Sequence, residues 1–180
     1  MCQKLFAGLV LAVLFAALAI PAQTGREIPE RAARRIQKEV RHEILMLPFY
    51  GVFDNITYKV EGYNVTLMGQ VTRPTLKKDA ENVVKRIEGV EKVVNQIEVL
   101  PVSPMDDGLR LRLYRDIYGY APLERYAMPV VKPIRIIVKN GHVTLEGVVD
   151  SEGDRNIVNI RANGVPGIFS VTNNLRVVKP

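Results

Sequence analysis

The chain has 180 residues, of which 47% are hydrophobic and 24% are charged, and its formal net charge is +6. This composition excludes a disordered or fibrous protein and is typical of a globular one. The length allows one domain or two small ones. The positive charge favours anionic partners, such as phospholipid headgroups or acidic polymers, without choosing between them.

The N-terminal 22 residues differ in composition from the rest of the chain. A start with one lysine is followed by an uncharged apolar run over 5–20 and then by Pro21-Ala22-Gln23. This order is typical of a secretory signal peptide, and cleavage after Ala19 or after Ala22 would fit it. The alternative is an uncleaved membrane anchor, for which the run is short. We therefore predict a signal peptide over 1–22 and a periplasmic mature protein, and export argues against nucleic acid as a partner.

Cys2 is the only cysteine, and it precedes the apolar run. Cleavage would leave a mature chain without cysteine, which excludes disulfides and thiolate chemistry. The position of Cys2 is also unsuitable for a lipoprotein anchor. Each small domain must then be stable through its own packing or by docking on the other.

One seven-residue pattern occurs twice. Val65-Thr66-Leu67-Met68-Gly69-Gln70-Val71 recurs 78 residues later as Val143-Thr144-Leu145-Glu146-Gly147-Val148-Val149. At the same offset Asn95 aligns with Asn173, and nine of the 35 positions from 65 to 99 are identical without a gap. A repeat of this length, with its apolar phase kept, predicts one structural unit present in two copies.

Each copy predicts the order helix, strand, strand, helix, strand. Apolar residues at helical or alternating spacing define these elements, and proline, glycine and asparagine mark their ends. In the first copy the helices are predicted over 29–47 and from Pro74 to Gly89, and the strands over 56–60, 65–71 and 93–99. In the second copy the helices are predicted over 106–119 and from a capping box at Ser151-Glu152-Gly153-Asp154 to Gly164, and the strands over 134–138, 143–149 and 171–178.

The predicted fold class is α+β. We expect two tandem αββαβ domains over 23–100 and 106–180, joined by a proline-containing linker over 101–105, each with a three-stranded sheet packed against two helices. Gly69 and Gly147 fall in the middle of strands, where glycine marks a bulge or close packing. We favour packing against a helix over a role in ligand binding.

The repeated residues resemble a known domain. Val-Thr-Leu-x-Gly-x-Val, a helix, Gly-Val or Gly-Ile, and then Val-x-Asn-x-Leu/Ile-x-Val are similar to the pattern of the BON domain, named for bacterial osmotically induced and nodulation proteins. Both copies show it, so the resemblance covers nearly the whole mature chain. It implies a periplasmic or outer-membrane-associated protein, similar to the osmotically inducible periplasmic proteins, that binds phospholipid and supports envelope integrity. The chain departs from the pattern by a longer stretch over 120–133 and by the lack of a lipobox cysteine.

The sequence contains no recognisable catalytic motif. Neither Gly-x-Ser-x-Gly, a Cys/His pair nor His-Glu-x-x-His occurs, and His42 and His142 are isolated. Asp106-Asp107 and Glu152-x-Asp154 stand where helices begin, which capping explains. We therefore predict no enzymatic activity, no cofactor and no metal site.

Gly164-Val165-Pro166-Gly167 has the Gly-x-x-Gly spacing of the nucleic-acid-binding KH loop. That loop joins two helices, whereas this one precedes a strand. The pattern therefore indicates the end of a helix.

Two basic segments are candidate sites for an anionic membrane surface. The first candidate combines arginine, which pairs with phosphate, with tyrosine, which suits bilayer interfaces. The alternative is that its tyrosines pack between the copies or hold the long stretch. Its residues are Arg110, Arg112, Tyr114, Arg115, Tyr118, Tyr120, Arg125 and Tyr126.

The secondary candidate is the basic face of the first helix, which lies opposite its apolar stripe. Basic amphipathic helices can lie on anionic membranes. An ordinary core-packed helix has the same pattern, and glutamates at positions 30, 39 and 43 reduce the charge. The residues of this face are Arg31, Arg34, Arg35, Lys38 and Arg41.

These observations predict a non-enzymatic envelope protein that associates peripherally with an anionic phospholipid membrane and supports envelope integrity or osmotic stress tolerance. The alternative function is an envelope scaffold or adaptor that binds another protein, or its own copies, through a strand edge or an apolar patch.

Overall fold

The computed structural model describes residues 30–178, so the predicted signal peptide lies outside the described residues. The first copy comprises α1 (Glu30–Leu45), β1 (Asn55–Glu61), β2 (Asn64–Val71), α2 (Pro74–Lys85), β3 (Lys92–Asn95) and β4 (Glu98–Val99). The second comprises α3 (Pro104–Tyr118), a 3-10 turn (Ala121–Leu123), α4 (Glu124–Ala127), β5 (Ile134–Lys139), β6 (His142–Val149), α5 (Glu152–Asn163), β7 (Ser170–Asn173) and β8 (Arg176–Val177). The predicted α+β fold with two αββαβ units is confirmed. The 3-10 turn and α4 occupy the longer stretch before β5.

Each copy has a mixed sheet with β2 or β6 at its centre. β1 pairs antiparallel with β2, so that Tyr58 lies opposite Leu67, while β3 and β4 both pair with β2 in parallel. The second copy repeats this pairing, with Ile136 opposite Leu145. The third strand, predicted as continuous, is interrupted in both copies.

A repeated asparagine causes this interruption. The Oδ1 atom of Asn95 accepts a hydrogen bond from the amide of Ile97 at 3.1 Å, and its Nδ2 donates to the carbonyl of Lys77 in α2 at 2.8 Å. Asn173 makes the equivalent bonds in the second copy, both at 3.1 Å. The side chain turns the strand locally and ties it to the helix, which gives a physical reason for asparagine in both copies.

Gly69 and Gly147 permit a close approach of backbone to backbone. Their φ angles are +109° and +121°, and an added Cβ would lie 2.0 Å from the carbonyl oxygen of Asn55 and 1.9 Å from that of Pro133. The preference for helix packing drawn from the sequence is therefore wrong. The close neighbour is the start of the adjacent hairpin strand, and not a helix.

The helices cover one face of each sheet and bury two separate hydrophobic cores. Their buried side chains recur every three or four residues, as the amphipathic patterns predict. The first core includes Ile36, Val40, Ile44, Leu67, Leu76, Ala80 and Val84. The second core includes Leu109, Leu113, Ile117, Ile136, Leu145, Val158 and Ala162.

The segment over 46–54, between α1 and β1, joins the two copies, and we name it the docking loop. The carbonyl of Val52 accepts a hydrogen bond from the amide of Ile136 at 2.9 Å, at the outer edge of β5. Arg135, 8% exposed, donates to the carbonyl of Gly51 at 2.7 Å and stacks on Tyr50 with 4.7 Å between guanidinium carbon and ring centroid. The side chain of Val52 also packs against the second core. The first copy thus covers a strand edge of the second.

Replacement of either strand glycine should destabilise its domain strongly. For Gly69→Ala or Gly147→Ala we expect a loss of roughly 3 kcal/mol or more in the free energy of unfolding, because the new Cβ meets a backbone carbonyl and the φ angle is unfavourable. Gly108→Ala in α3 is the matched control, since the nearest atom to its added Cβ is Arg112 Nη2 at 3.9 Å. The free energy of unfolding of that variant should rise by about 0.5–1 kcal/mol, because alanine is favoured over glycine inside a helix. Urea titration measures both, and equal stability of the three variants would contradict the account.

Candidate functional site

We name the first candidate, from Arg110 to Tyr126, the Arg/Tyr segment. Three of its eight residues are buried, namely Arg110, Tyr118 and Tyr126. The hydroxyl of Tyr118 donates to the carbonyl of Ile134 at 2.5 Å, and burial raises the pKa of that hydroxyl. Arg110 forms an ion pair with Asp107 at 2.5 Å and donates to a carbonyl of β5 at 2.6 Å. As placed, these side chains bind protein groups, so they do not belong to a surface that could contact lipid.

Arg125 and Tyr126 anchor the long stretch to the start of α5. The Tyr126 hydroxyl donates to the carboxylate of Asp154 at 2.8 Å and accepts from the amide of Asp150 at 2.9 Å. Arg125 forms ion pairs with both aspartates and lies over the Tyr126 ring. The hydroxyl of Ser151 accepts from the Asp154 amide at 3.1 Å and donates to its carboxylate at 2.7 Å. The predicted capping box is therefore half formed, because the Asp154 carboxylate turns towards Tyr126 and Arg125.

The other two tyrosines of the segment differ in exposure. Tyr114 lies between Phe53 of the docking loop and Tyr118, with ring centroids 6.3 and 5.0 Å away. Tyr120 is 37% exposed, and its ring lies 4.8 Å from the guanidinium carbon of Arg161. The alternative interpretation, in which the tyrosines pack between the copies or hold the long stretch, thus describes Tyr114, Tyr118 and Tyr126.

Of the basic residues in the two candidate segments, Arg110 is buried, Arg125 is exposed but ion-paired, and the others are exposed on α1 and α3. Arg112 and Arg115 are exposed on α3. All five residues of the basic face of α1 are exposed, namely Arg31, Arg34, Arg35, Lys38 and Arg41. The opposite face of α1 is buried in the first core. α1 is therefore a core-packed helix that presents a basic side to solvent.

Two glutamates of α1 lie on one flank of this basic side. Glu39 and Glu43 are half-buried and border a cleft together with Arg86. Arg35 pairs with Glu39 at 3.3 Å and with Glu88 at 3.4 Å, on that flank of the helix. Positions 31, 34, 38 and 41 follow a spacing of three and four residues, so they form one row along the helix. We name Arg31, Arg34, Lys38 and Arg41 the basic row.

A groove between the copies adjoins the end of this row. Its volume is about 410 Å³, and Arg41, Tyr50, Tyr58, Val148 and Arg176 are among its lining residues. The lining combines apolar and aromatic groups with two arginines, and it includes no acidic residue. The basic surface therefore continues from α1 towards β8 of the second copy.

The aspartates at the start of α3 have structural partners. The Asp106 carboxylate is buried and accepts from the amides of Asn140 and Gly141 at 2.8 and 2.9 Å, which fixes the predicted hairpin turn. Asp107 pairs with Arg110. The cap of α3 is Ser103, whose hydroxyl accepts from the Asp106 amide at 3.2 Å. The capping role expected for the two aspartates is therefore replaced by these contacts.

The histidines lie apart and exposed. His42 is on α1, and the Nδ1 atom of His142 lies 2.7 Å from the hydroxyl of Ser170. Within residues 30–178, no three His, Cys, Asp or Glu side chains converge in a group that could hold a metal ion. Gly164 follows the last residue of α5, and Gly167 has a φ of +92°, so the Gly-x-x-Gly pattern is a helix end.

Sequence reasoning missed the exposed apolar side chains of two loops. Met46 and Phe49 of the docking loop are 68% and 72% exposed, and Met128 and Val130 are 78% and 98% exposed. Two signals could have found them. Phe49 stands where the turns after α2 and α5 have glycine, and Met128-Pro129-Val130-Val131 is a loop without a polar side chain.

A comparison of the chain with models of known domain families identifies its family. The model of the BON domain matches residues 32–101 and 127–179. The chain belongs to the BON domain family. Both copies are matched, although the second match begins after α3, which nevertheless takes the place in its domain that α1 takes in the first. BON-domain proteins are typically periplasmic or membrane-associated and are generally non-enzymatic.

Other comparisons add little to this assignment. No curated protein matches the chain. Among solved structures, CdsD, a structural protein of the Type III secretion system of Chlamydia trachomatis, matches with a TM-score of 0.29 and 14% identity over 81% of this chain and 93% of that one. Its C-terminal domain matches with a TM-score of 0.28 and 13% identity over 78% and 96%. These scores establish neither a common arrangement of the two domains nor a function.

The helices of the described BON domains are too short or too polar to cross a bilayer.

Asp154 with Ser151, Tyr126 and Arg125 forms a cluster, which we name the Asp154 cluster. This cluster should make the second BON domain less stable at acidic pH. Burial raises the pKa of the Asp154 carboxyl, but hydrogen bonds from Ser151, Tyr126 and Arg125 outweigh burial and hold that pKa below its ordinary value. A lowered pKa stabilises the fold above the unfolded value of about 3.9, and the stabilisation is lost as pH falls through the folded value. We expect Asp154→Asn to lower the free energy of unfolding by about 1.5–3 kcal/mol at pH 7. On acidification the stability of the variant should fall less than that of the wild type, because the variant has no carboxylate to protonate at this position.

Urea titrations between about pH 7 and pH 2 test this expectation. Asp116→Asn is the matched control, because Asp116 forms a partly exposed ion pair with Arg161 at 2.6 Å. Such a pair contributes less than about 1 kcal/mol. Parallel pH profiles for the wild type and Asp154→Asn would contradict the assigned role.

Proposed function

We propose that this BON-domain protein binds peripherally to anionic phospholipid through the basic row of α1 and thereby supports the integrity of the cell envelope, including under osmotic stress. The observation that carries the proposal is the composition of the row. Its four exposed side chains are all basic, and Glu39 and Glu43 of the helix lie on another flank. The predicted signal peptide and the family's typical location are consistent with contact to an envelope membrane.

The electrostatics of the row suit a surface better than a point ligand. Its first and last members, Arg31 and Arg41, are ten positions apart, which in a helix corresponds to about 15 Å. That length exceeds the screening distance of about 10 Å at 0.1 M salt, so one small anion could not neutralise the whole row. A negatively charged leaflet can contact all of it, and each Lys or Arg near such a leaflet contributes about 1 kcal/mol.

The two copies are expected to contribute unequally. In the Arg/Tyr segment of the second copy, Arg112 and Arg115 are exposed, Arg125 is exposed but ion-paired, and Tyr120 is its exposed tyrosine. We therefore assign the membrane contact to the first BON domain and use α3 as the competing surface.

Vesicle co-sedimentation tests this assignment. The purified chain should bind vesicles containing phosphatidylglycerol more strongly than vesicles of phosphatidylcholine alone, and salt should weaken the binding. Neutralising two charges of the row in Lys38→Gln/Arg41→Gln should reduce the partition coefficient on the order of 30-fold, from about 1 kcal/mol per charge. The matched control is Arg112→Gln/Arg115→Gln, which removes the same charge from α3.

Each result separates one claim from another. Loss of binding only in the α3 control would move the contact to the second domain. Equal binding to neutral and anionic vesicles, insensitive to salt, would remove the electrostatic mechanism. A chain that binds no vesicle but recovers one stoichiometric protein partner would favour the scaffold function instead.

A further inference from the structure

Two neighbouring loops carry exposed apolar side chains near the C-terminal end of α1. The docking loop contributes Met46 and Phe49, and the loop before β5 contributes Met128 and Val130. The loops lie side by side, because residues of 45–52 and of 130–135 line one shared cleft. We name Met46, Phe49, Met128 and Val130 the apolar tip.

Phe49 adopts a backbone conformation that is unfavourable for its side chain. Its φ is +67°, whereas the corresponding positions in the turns after α2 and α5 are Gly89, at +89°, and Gly167, at +92°. The left-handed region is unfavourable for a bulky residue, and such strain concentrates at functional positions. Burial in the fold does not offset the strain, since the side chain is 72% exposed. Glycine would satisfy the turn equally well, so the turn itself does not require phenylalanine.

The charges around the tip favour a negatively charged partner. The guanidinium of Arg73 lies 4.7 Å from the centroid of the Phe49 ring. No acidic residue occurs over 44–53 or over 125–135. In the second of these segments Arg125 is paired with Asp150 and Asp154 and Arg135 is buried, so Lys132 is its available cation. The basic row ends at Arg41, one helical turn before the docking loop begins. Apolar and aromatic tips with cations beside them fit the headgroup region of an anionic bilayer.

We infer that the apolar tip inserts into the boundary between headgroups and acyl chains while the basic row lies on the headgroups. The inference rests on the proposed function and extends it, because it adds an inserted element and an orientation. The first BON domain would then face the bilayer with the C-terminal end of α1, and the loop before β5 would draw the second domain to the same surface.

A tryptophan reporter tests insertion directly, because the chain contains no tryptophan. Phe49→Trp should show blue-shifted emission with phosphatidylglycerol vesicles and quenching by dibrominated acyl chains. Phe169→Trp is the matched control, since Phe169 is 70% exposed and lies outside the tip, where it packs beside Gly141 and Met105. Its emission should be neither shifted nor quenched.

Phe49→Gly tests the strain. We expect the membrane partition coefficient to fall roughly tenfold, consistent with loss of one partly buried aromatic side chain. The midpoint of thermal unfolding should stay at or above that of the wild type, because glycine tolerates the positive φ. Met128→Ser/Val130→Ser should lower binding in the same way, and Phe169→Ser should not.

The outcomes distinguish this inference from the proposed function. Salt-sensitive binding to anionic vesicles without quenching of Phe49→Trp, or with equal quenching of Phe169→Trp, overturns insertion and leaves the proposed function standing. Absence of vesicle binding by the wild type overturns both. A lower unfolding midpoint for Phe49→Gly overturns the inference by making Phe49 a packing residue, and capture of a protein by the tip with no lipid binding assigns the surface to a protein partner.

Discussion

The docking of one loop onto one strand edge joins the two BON domains of this molecule. The docking loop supplies a main-chain hydrogen bond to β5, and Arg135 returns a side-chain bond to the same loop. An open strand edge is a site for unwanted pairing, and here the first domain covers that edge. The contact also places the side chain of Phe53 against Tyr114. Residues 50–53 of the loop make these contacts, whereas Met46 and Phe49 of the same loop remain exposed.

The fold was predictable because the same residues take the same structural positions in both copies. Alternating and helical apolar spacing identified the elements, and the offset of 78 residues identified the two domains. The repeated motif indicated that Gly69 and Asn95 matter, yet the reasons came only from the structure. A carbonyl 2.0 Å from an absent Cβ at Gly69 and the bond from Asn95 Nδ2 to the carbonyl of Lys77 are contacts between segments distant in the sequence. Periodicity describes which face a residue takes, and it does not describe which backbone atom lies opposite.

The candidate site was predicted less well, because exposure depends on the tertiary partners of a side chain. Tyr118 and Tyr126 have an amphipathic character that suits a bilayer interface and suits equally a buried hydroxyl bonded to a carbonyl or a carboxylate. Arg110 is similarly ambiguous, since its partners are a neighbouring aspartate and a carbonyl of β5. On α1 the ambiguity is smaller. A helix with one apolar stripe must turn its opposite side to solvent, so the exposure of the basic row followed from the sequence pattern.

The two BON domains share one arrangement of helices and strands, and they differ in the side-chain contacts that hold it. In the first, Asp54 holds the junction between β2 and α2 through the amide and hydroxyl of Thr72, at 2.7 and 2.8 Å. In the second, the equivalent amide, that of Asp150, bonds to the hydroxyl of Tyr126 in the longer stretch. The stretch is thereby fixed at one end by the Asp154 cluster, and β5 fixes its other end. A loop held at both ends can present Met128 and Val130 in a defined position, which an unanchored loop could not do without ordering on contact.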